Sequence, residues 1–323
     1  MLYDIIIIGG GPAGAAAAIY SARKKLKTLL ITDSFGGQSV VSADIQNWIG
    51  EPHISGFDLA QKLEAHVRAF SDTVEMKMPE KAVEIKSIRC STFDRICDFE
   101  VKTDQGNIYE AKTLILAQGA RRKKLGVPGE EKFNGKGVAY CSTCDAPLFS
   151  GKKVAVVGGG NAGLEAVVDL FPYASEIYLI HRGDALKGDP VEQEEIKKNS
   201  KLKEIILNSE TMEILGNGFV AGLKYKNLKT GEEKTLSVDG VFVEIGSQPN
   251  SEIVKDLVEL DQWGQVKIDS RHGSTSHPGI FAAGDVTEDP YKQNNISVGD
   301  AVKAALAAYN YLLKREKKSP AAE

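Results

Sequence analysis

Short apolar runs, each ending at a glycine turn or a polar residue, are the most regular feature of this 323-residue chain. The first is Ile5–Ile8, and similar runs cover Thr28–Thr32, Val154–Val157 and Glu176–Ile180. A continuous, β-branched apolar run of this length is typical of a parallel strand that is buried on both faces. Helix-forming segments such as AAAAIYSARK separate the runs, so the pattern predicts an α/β fold with parallel sheets.

The first run leads into glycines in G-x-G-x-x-G spacing at Gly9, Gly11 and Gly14. Such glycines allow a tight turn, the close approach of a pyrophosphate and the packing of the following helix on the strand. Asp33 directly follows the second run, where a carboxylate can accept hydrogen bonds from a ribose. This order predicts a dinucleotide site; the alternative is a glycine-rich turn without a ligand.

The same pattern recurs about halfway along the chain. The run Val154–Val157 leads into Gly158, Gly160 and Gly163, a helix is predicted to begin near Leu164, and the next run ends at His181. Two dinucleotide sites in one chain favour an electron relay, in which one cofactor is bound permanently and the other visits.

Basic residues follow the strand of the second site, where an acid would mark a free ribose. They are His181, Arg182 and Lys187, with Gly183 and Asp184 interrupting the cluster. Positive charge at this place favours a 2′-phosphate, and hence NADPH over NADH. The alternative is a solvated basic loop.

Two later segments complete the predicted architecture. Lys112–Ala120 and Gly279–Asp285 each predict a strand that runs into a glycine turn, and a helical segment follows the second. We therefore predict two Rossmann-like dinucleotide-binding domains, of the three-layer ββα kind, with the second inserted in the first. The first domain would comprise residues 1–119 and 248–323, and the second residues 120–247, with linkers after Gly119 and at Ile245–Asn250.

Composition and charge narrow the functional class. The net charge is −4, the isoelectric point is about 5.9, and no basic block resembles a nucleic-acid footprint. No apolar stretch approaches the roughly 20 residues that span a membrane. The apolar run near the N-terminus lacks a charged lead-in, so it does not resemble a signal peptide. We expect a cytoplasmic protein that binds neither nucleic acid nor membrane.

The four cysteines are Cys90, Cys97, Cys141 and Cys144. In a reducing cytosol we expect the first two to be ordinary packed thiols. The second two lie in AYCSTCDAPLF, directly before Asp145. A zinc site would need two more ligands, which neither the other cysteines nor the five histidines supply in a suitable spacing, so no metal is predicted. A redox dithiol with Asp145 as its acid or base is the favoured interpretation, and helix capping by Asp145 is the alternative.

Taken together, these motifs carry a resemblance that covers essentially the whole chain. The chain resembles the low-molecular-weight thioredoxin reductases, and it is equally similar to the flavin-bearing portion of the alkyl hydroperoxide reductase flavoprotein. The segments that carry the likeness are GGGPAG at 9–14, GGQ at 36–38, IQNWIG at 45–50, PGE at 128–130, CSTCD at 141–145, GGGNAG at 158–163, GSQPN at 246–250, GIFAAGD at 279–285 and YKQ at 291–293.

The resemblance implies a thioredoxin-disulfide reductase, a homodimeric flavoprotein that passes electrons from NAD(P)H through FAD and the Cys141–Cys144 pair to a protein disulfide. Its domains would rotate between half-reactions. From its place next to Asp145, we predict that Cys144 is the sulfur nearer the flavin. The implied FAD-binding residues are Gly9, Gly11, Pro12, Ala13, Gly14, Asp33, Gly37, Gln38, Asn47, Gly119, Gly284, Asp285, Lys292, Gln293 and Asn294. The implied NADPH-binding residues are Gly158, Gly160, Asn161, Ala162, Gly163, His181, Arg182 and Lys187.

Several positions depart from the family pattern. Ala146 and Gln118 stand where glycine and threonine are usual, and Gly183 breaks the usual basic triplet. NADH and ferredoxin therefore stay open as electron donors beside NADPH. The flavin fold begins at residue 2, without a fused carrier domain, so thioredoxin is the expected partner and a peroxiredoxin-linked, thioredoxin-like carrier is the alternative.

Two other classes of function are weighed against the disulfide reductase. A flavin reductase or ferredoxin–NADP reductase on the same scaffold would lack the pair Cys141 and Cys144. A non-enzymatic module that binds a dinucleotide or a metal would not be a yellow flavoprotein.

Overall fold

The computed structural model describes residues 1–42, 44–91 and 97–318. The strands are β1 (Leu2–Gly10), β2 (Thr28–Phe35), β3 (Val74–Lys77), β4 (Ala82–Ile88), β5 (Asp98–Thr103), β6 (Ile108–Leu116), β7 (Ala120–Arg122), β8 (Val138–Ala139), β9 (Lys153–Val157), β10 (Glu176–Ile180), β11 (Leu202–Ile206), β12 (Ser209–Asn217), β13 (Phe219–Asn227), β14 (Glu233–Leu236), β15 (Gly240–Val243), β16 (Ser247–Pro249) and β17 (Ile280–Ala282). The helices are α1 (Pro12–Arg23), α2 (Gly56–Arg68), α3 (Ser142–Asp145), α4 (Asn161–Leu170), α5 (Pro190–Lys198) and α6 (Asn294–Lys318).

The first sheet has the order β3-β2-β1-β6-β5-β4, with β17 paired to β6. Strands β3, β2, β1, β6 and β17 are parallel to their neighbours. The predicted run Ile5–Ile8 lies in the middle of this sheet and is buried on both faces, as its composition requires. Helices α1 and α6 pack together on one face through small side chains, which allow their backbones to approach closely.

The second sheet has the order β11-β10-β9-β15-β8 and is parallel throughout. A small antiparallel sheet of β12, β13 and β14 packs beside it. Two parallel sheets, each with a glycine turn and a helix after its central strand, confirm the predicted fold class. The carboxyl ends of parallel strands meet at one edge of a sheet, so the residues that follow β10, β9, β15 and β8 lie in that order along one edge.

The two predicted linkers pair with each other. Strands β7 and β16 form a two-stranded antiparallel ribbon, in which Ala120 lies opposite Pro249 and Arg122 opposite Ser247. The ribbon joins the two sheets at a single place. The exact domain boundaries at residues 119/120 and 247/248 stay a prediction.

The structure contradicts one prediction about the cysteines. Cys90 and Cys97 form a disulfide, with their Cα atoms 4.0 Å apart, and are not ordinary packed thiols. The reason is the antiparallel pairing of β4 with β5, which sets Ile88 opposite Asp98 and so brings the two cysteines together at the base of the loop that connects the strands. Residues 92–96 between them lie outside the described part of the chain.

Within the described ranges, no helix is both long enough and apolar enough to cross a membrane.

Candidate active site

The glycine turn after β1 has no room for a side chain at Gly9 or Gly14. A Cβ added to Gly14 would lie 1.7 Å from the carbonyl oxygen of Gly9, and Gly9 itself has φ +111°. Gly11 precedes α1 at the N-cap without a side-chain capping hydrogen bond. Pro12, the first residue of α1, has no N–H, so the first backbone N–H groups that an anionic ligand such as a pyrophosphate could use are those from Ala13 onward.

Loop residues from the two ends of the chain meet beside this turn. Gln38 Nε2 donates to Asp285 Oδ2 at 3.0 Å, and Asn47 Nδ2 donates to Gln293 Oε1 at 3.1 Å. Asn294 Oδ1 accepts from a neighbouring serine, Ser39, at 2.9 Å. The structure thus brings together five residues that the family resemblance implied for FAD.

Two features of this place fit a bound flavin dinucleotide. The side-chain amide of Gln118 is buried at both its polar atoms and has no partner within the described ranges. Burial raises the pKa of Asp285, opposed by nearby Lys292 and Arg122. A polyhydroxy chain and a ring with amide groups would satisfy such an amide and such a carboxyl, because buried polar groups need hydrogen-bond partners.

The remaining residues implied for FAD surround the same edge. Asp33 is exposed near the end of β2, and Gly37 faces Gly11, with a Cβ on Gly37 3.5 Å from the Gly11 Cα. Gly119 and Gly284 have φ +64° and +74°, in the turns after β6 and β17.

The second glycine turn repeats the first. A Cβ on Gly163 would lie 1.9 Å from the Gly158 carbonyl oxygen, and Gly160 occupies the N-cap of α4 without a side-chain capping bond. Ala162 is exposed in the first turn of the helix. Asn161 has a structural contact, since its Oδ1 accepts from the Asp189 amide at 2.9 Å.

The basic loop after β10 folds back over this turn. The Lys187 amide donates to the carbonyl of Gly159 at 2.7 Å, and Arg182 and Lys187 are both exposed. The His181 ring packs against Gly159, and its Nε2 is buried without a partner within the described ranges. Burial, and then Lys187, lower the pKa of His181. The positive charge of the loop at neutral pH therefore comes from Arg182 and Lys187.

The dithiol follows β8, at the end of the second sheet. Cys141 and Cys144 form a disulfide across the short helix α3, and both are half-buried. Burial raises the pKa of Asp145 to about 6, against the opposing effect of Arg122. Asp145 precedes a 3-10 turn without making a side-chain capping bond, so the alternative prediction of a simple cap is wrong.

Two further carboxyls and one cation surround the disulfide, and the sequence reasoning did not identify any of them. Ser142 Oγ and Thr143 Oγ1 donate to Asp169 Oδ2 at 2.8 and 3.1 Å. Glu244, the residue after β15, is buried. Arg122, on the linker ribbon, lowers the pKa of Asp145, Glu244 and Asp285 alike. Because one guanidinium acts on carboxyls of both units, the disulfide loop lies on the side of the first dinucleotide site, within electrostatic reach of the same cation.

A sequence signal for Glu244 did exist. It is an acid placed directly after a buried apolar run, at the edge of a parallel sheet where ligands and reactive groups collect. Within the described ranges, no group of three or more His, Cys, Asp or Glu side chains is placed to hold a metal ion.

Comparison with known proteins places these features in one family. Residues 3–308 match the family model described as pyridine nucleotide-disulphide oxidoreductase. An NADH dehydrogenase of Bacillus subtilis is 41% identical over 97% of this chain and 59% of its own length. A component of the alkyl hydroperoxide reductase of Pseudomonas aeruginosa is 43% identical over 97% of this chain and 58% of its own length. The chain therefore spans less than two thirds of the length of these curated relatives.

Two solved structures cover nearly the whole chain. The thioredoxin reductase of Streptococcus pyogenes has a TM-score of 0.87, with 37% identity over 97% of this chain and 99% of its own. The thioredoxin reductase of Lactococcus lactis, described as the FR conformation, has a TM-score of 0.65, with 34% identity over the same shares. Identity and coverage are similar in the two pairs, so the difference in TM-score indicates a different arrangement of similar parts.

Proposed function

Since the chain belongs to the pyridine nucleotide-disulphide oxidoreductase family, we propose that it passes electrons from NAD(P)H through FAD and the Cys141–Cys144 pair to a protein disulfide. One observation carries the proposal. The half-buried disulfide lies at the edge of the second sheet, beside Asp145, on the side of the first dinucleotide site and within electrostatic reach of Arg122. A metal site or a purely structural disulfide would not need a buried acid in that position.

Bound FAD would supply a two-electron carrier between the nicotinamide and the disulfide. The chain's own residues then divide the remaining work. Two electrons break the Cys141–Cys144 bond, and Asp145 gives a proton to one of the sulfurs. A thiolate of the pair next attacks the partner's disulfide, forms a mixed disulfide and is displaced by the second cysteine, which leaves the partner as a dithiol.

Thioredoxin is the proposed partner and NADPH the proposed donor. The solved structures of the Streptococcus pyogenes and Giardia duodenalis proteins, 37% and 30% identical to this chain, are named thioredoxin reductases, which supports thioredoxin. A second candidate partner is a peroxiredoxin-linked, thioredoxin-like carrier, which the similarity to the alkyl hydroperoxide reductase component favours. NADH and ferredoxin are the other candidate donors. Homodimerisation and a cytoplasmic location are part of the proposal through the family resemblance.

Anaerobic titration of the purified protein with NADPH, NADH and reduced ferredoxin in turn tests the donor. The donor is the compound that rapidly bleaches the visible flavin band. Reduction of thioredoxin and of a thioredoxin-like carrier, each measured as thiol release, then tests the partner. A colourless protein that does not take up FAD, or a flavoprotein that reduces neither disulfide, would contradict the proposed function.

Reversing the charge of the basic loop should separate the two coenzymes. Replacing Arg182 and Lys187 by glutamate is expected to raise the KM for NADPH about 10- to 100-fold, because charge-assisted hydrogen bonds to the 2′-phosphate would be lost. The KM for NADH should hardly change, because NADH has no 2′-phosphate. The exposed Lys197→Glu on α5 is the matched control. Equal effects on both coenzymes would show that the loop does not recognise that phosphate.

Removing the acid beside the dithiol should change a pH profile as well as a rate. The Asp145 carboxyl has a pKa of about 6, so it is protonated below that pH and ionised above it. A step that needs its proton should be fastest below pH 6 and should slow as the pH rises. Asp145→Asn is expected to slow reoxidation of the flavin by the disulfide about 100-fold or more and to abolish this dependence. Rapid-mixing absorbance measures both; an unchanged profile would remove Asp145 from the step.

A further inference from the structure

Glu244 occupies a central place on the edge of the second sheet. The strand order places four successive features side by side: His181 after β10, Gly158 after β9, Glu244 after β15 and Cys141 after β8. Glu244 thus lies between the second glycine turn and the dithiol. Only 7% of its surface is exposed. Burying a carboxyl without a hydrogen-bond or ionic partner costs free energy, so the burial of Glu244 calls for an explanation.

The contacts of Glu244 lead to the dithiol. Its amide donates to the carbonyl of Val157 at 2.8 Å, which fixes its backbone against β9. Its carboxylate accepts a backbone hydrogen bond from Ser142, the residue that follows Cys141. The side chain therefore contacts the backbone one residue beyond the first cysteine.

The charged groups around Glu244 come from three other elements. Arg122 of β7 is the opposing cation, while Asp145 of α3 and Asp169 of α4 are carboxyls. Burial and the two neighbouring carboxyls raise the pKa of Glu244 to about 7, against the opposing effect of Arg122. Burial also raises the pKa of Asp145, to about 6, so two acids beside the dithiol titrate closer to neutral pH than ordinary carboxyls do.

We propose that Glu244 is a positioning residue for the dithiol, which holds the Ser142 amide and sets the charge beside Cys141 and Cys144. The inference rests on the proposed function, because it concerns the proton balance of that reaction. Glu244 is not placed in contact with the reacting atoms, and it acts through the loop and through the electric field.

The role of Glu244 follows from the proton balance of the step in which the Cys141–Cys144 disulfide is reduced. Two electrons break the S–S bond and leave two sulfur anions. Asp145 transfers a proton to one sulfur, and Glu244 takes up one proton from solvent. One of the two added charges is thereby neutralised, and one sulfur stays a thiolate for attack on the partner. When Glu244 is ionised, its negative charge raises the pKa of the neighbouring thiols.

The test is the pH dependence of thiol alkylation in Glu244→Gln. The holoprotein is reduced chemically, treated anaerobically with iodoacetamide at several pH values, and the peptide that contains Cys141 and Cys144 is quantified by mass spectrometry. At pH values above the titration of Glu244 in the reduced protein, the variant should react about 3- to 10-fold faster, the result of a thiol pKa lowered by about half a unit to one unit. Near pH 5.5, where Glu244 is protonated in the wild type, the two proteins should react equally.

Two controls separate the loss of the Glu244 charge from a general loosening of the loop that carries the cysteines. Glu192→Gln removes another carboxyl whose pKa burial raises, on α5, and should leave the alkylation profile unchanged. The thiols of Cys90 and Cys97 provide an internal reference in each sample. A uniform acceleration at every pH, or no acceleration at any pH, would overturn the proposal.

A second measurement follows the wild-type protein directly. In the wild type with ¹³C-labelled glutamate carboxyls, one signal should titrate near pH 7 and move to higher pH when the disulfide is reduced. Glu244→Asp, which retains an acid, assigns that signal. A Glu244 signal that titrates with the exposed glutamates, or that ignores reduction, would refute the role. Neither experiment uses a donor or a partner, so their outcome is independent of whether NADPH or thioredoxin is correct.

Discussion

Replacing Cys144 by serine is expected to reduce the rate of partner disulfide reduction at least about 1,000-fold, while the nicotinamide still reduces the flavin. The loss follows from the chemistry, since a serine hydroxyl can neither form the disulfide that accepts the electrons nor displace the mixed disulfide. Two assays of the same preparation give the result: bleaching of the flavin band by NADPH, and release of thiols from the partner.

The chain offers a matched control in its other disulfide. Cys90→Ser also removes one cysteine of a pair, but at the hairpin of β4 and β5, and should leave turnover unchanged. A further readout concerns the sulfur that remains. In Cys144→Ser, Cys141 should accumulate as a covalent complex with the partner if it is the attacking thiol. Turnover in Cys144→Ser close to that of the wild type would contradict the proposed reaction.

The sequence predicted the parts of the fold that local patterns determine. Ile5–Ile8 and Val154–Val157 lie in strands that are buried on both faces, and such strands leave a continuous apolar signature. The turn at Gly9 and Gly14 could also be predicted from the sequence, because close backbone contacts there exclude any side chain. The segment Lys112–Ala120, predicted as a strand that runs into a glycine turn, contains the end of β6 at Leu116 and the turn at Gly119.

What the sequence could not predict depends on contacts between distant segments. Glu244 and Cys141 are neighbours only because β15 pairs with β8, and no local pattern encodes that pairing. In the sequence, Arg122 stands out only as one of the basic residues of a linker. Its position near both Asp145 and Asp285 follows from the β7–β16 ribbon. Cys90 was predicted to be an ordinary packed thiol because disulfides are rare in a reducing cytosol. That argument is statistical, and the geometry of one hairpin overrides it.

The same layout raises a problem of access. The disulfide and the second glycine turn belong to one sheet, and both must reach the same flavin. In this structure the half-buried disulfide lies on the side of that site, whereas reduction of a protein partner needs Cys141 and Cys144 exposed to the partner. The lower TM-score against the FR conformation of the Lactococcus lactis enzyme is what a rotation of the second unit would produce. We expect this rotation to occur about the ribbon in every catalytic cycle.

Locking the two units together is therefore expected to lower steady-state turnover by a factor of about 100 or more while FAD stays bound. Gly135 and Val41 provide the place, since a Cβ on Gly135 would lie 3.3 Å from the Val41 carbonyl oxygen, and Val41 is 54% exposed. In Val41→Cys/Gly135→Cys, a short bifunctional thiol reagent added to the oxidised protein reacts with these two cysteines, because the native pairs are disulfides.

Each single-cysteine variant, treated with the same reagent, controls for the modification itself and for the strain of a side chain at Gly135, where φ is +69°. The locked protein should still exchange electrons once between the flavin and Cys141–Cys144, because the disulfide already lies on the side of the flavin site. It should fail only when the nicotinamide and the partner must alternate. If the locked protein turns over as fast as its single-cysteine controls, the arrangement seen here would itself have to serve both half-reactions, and the hinge at β7 and β16 would have no part in catalysis.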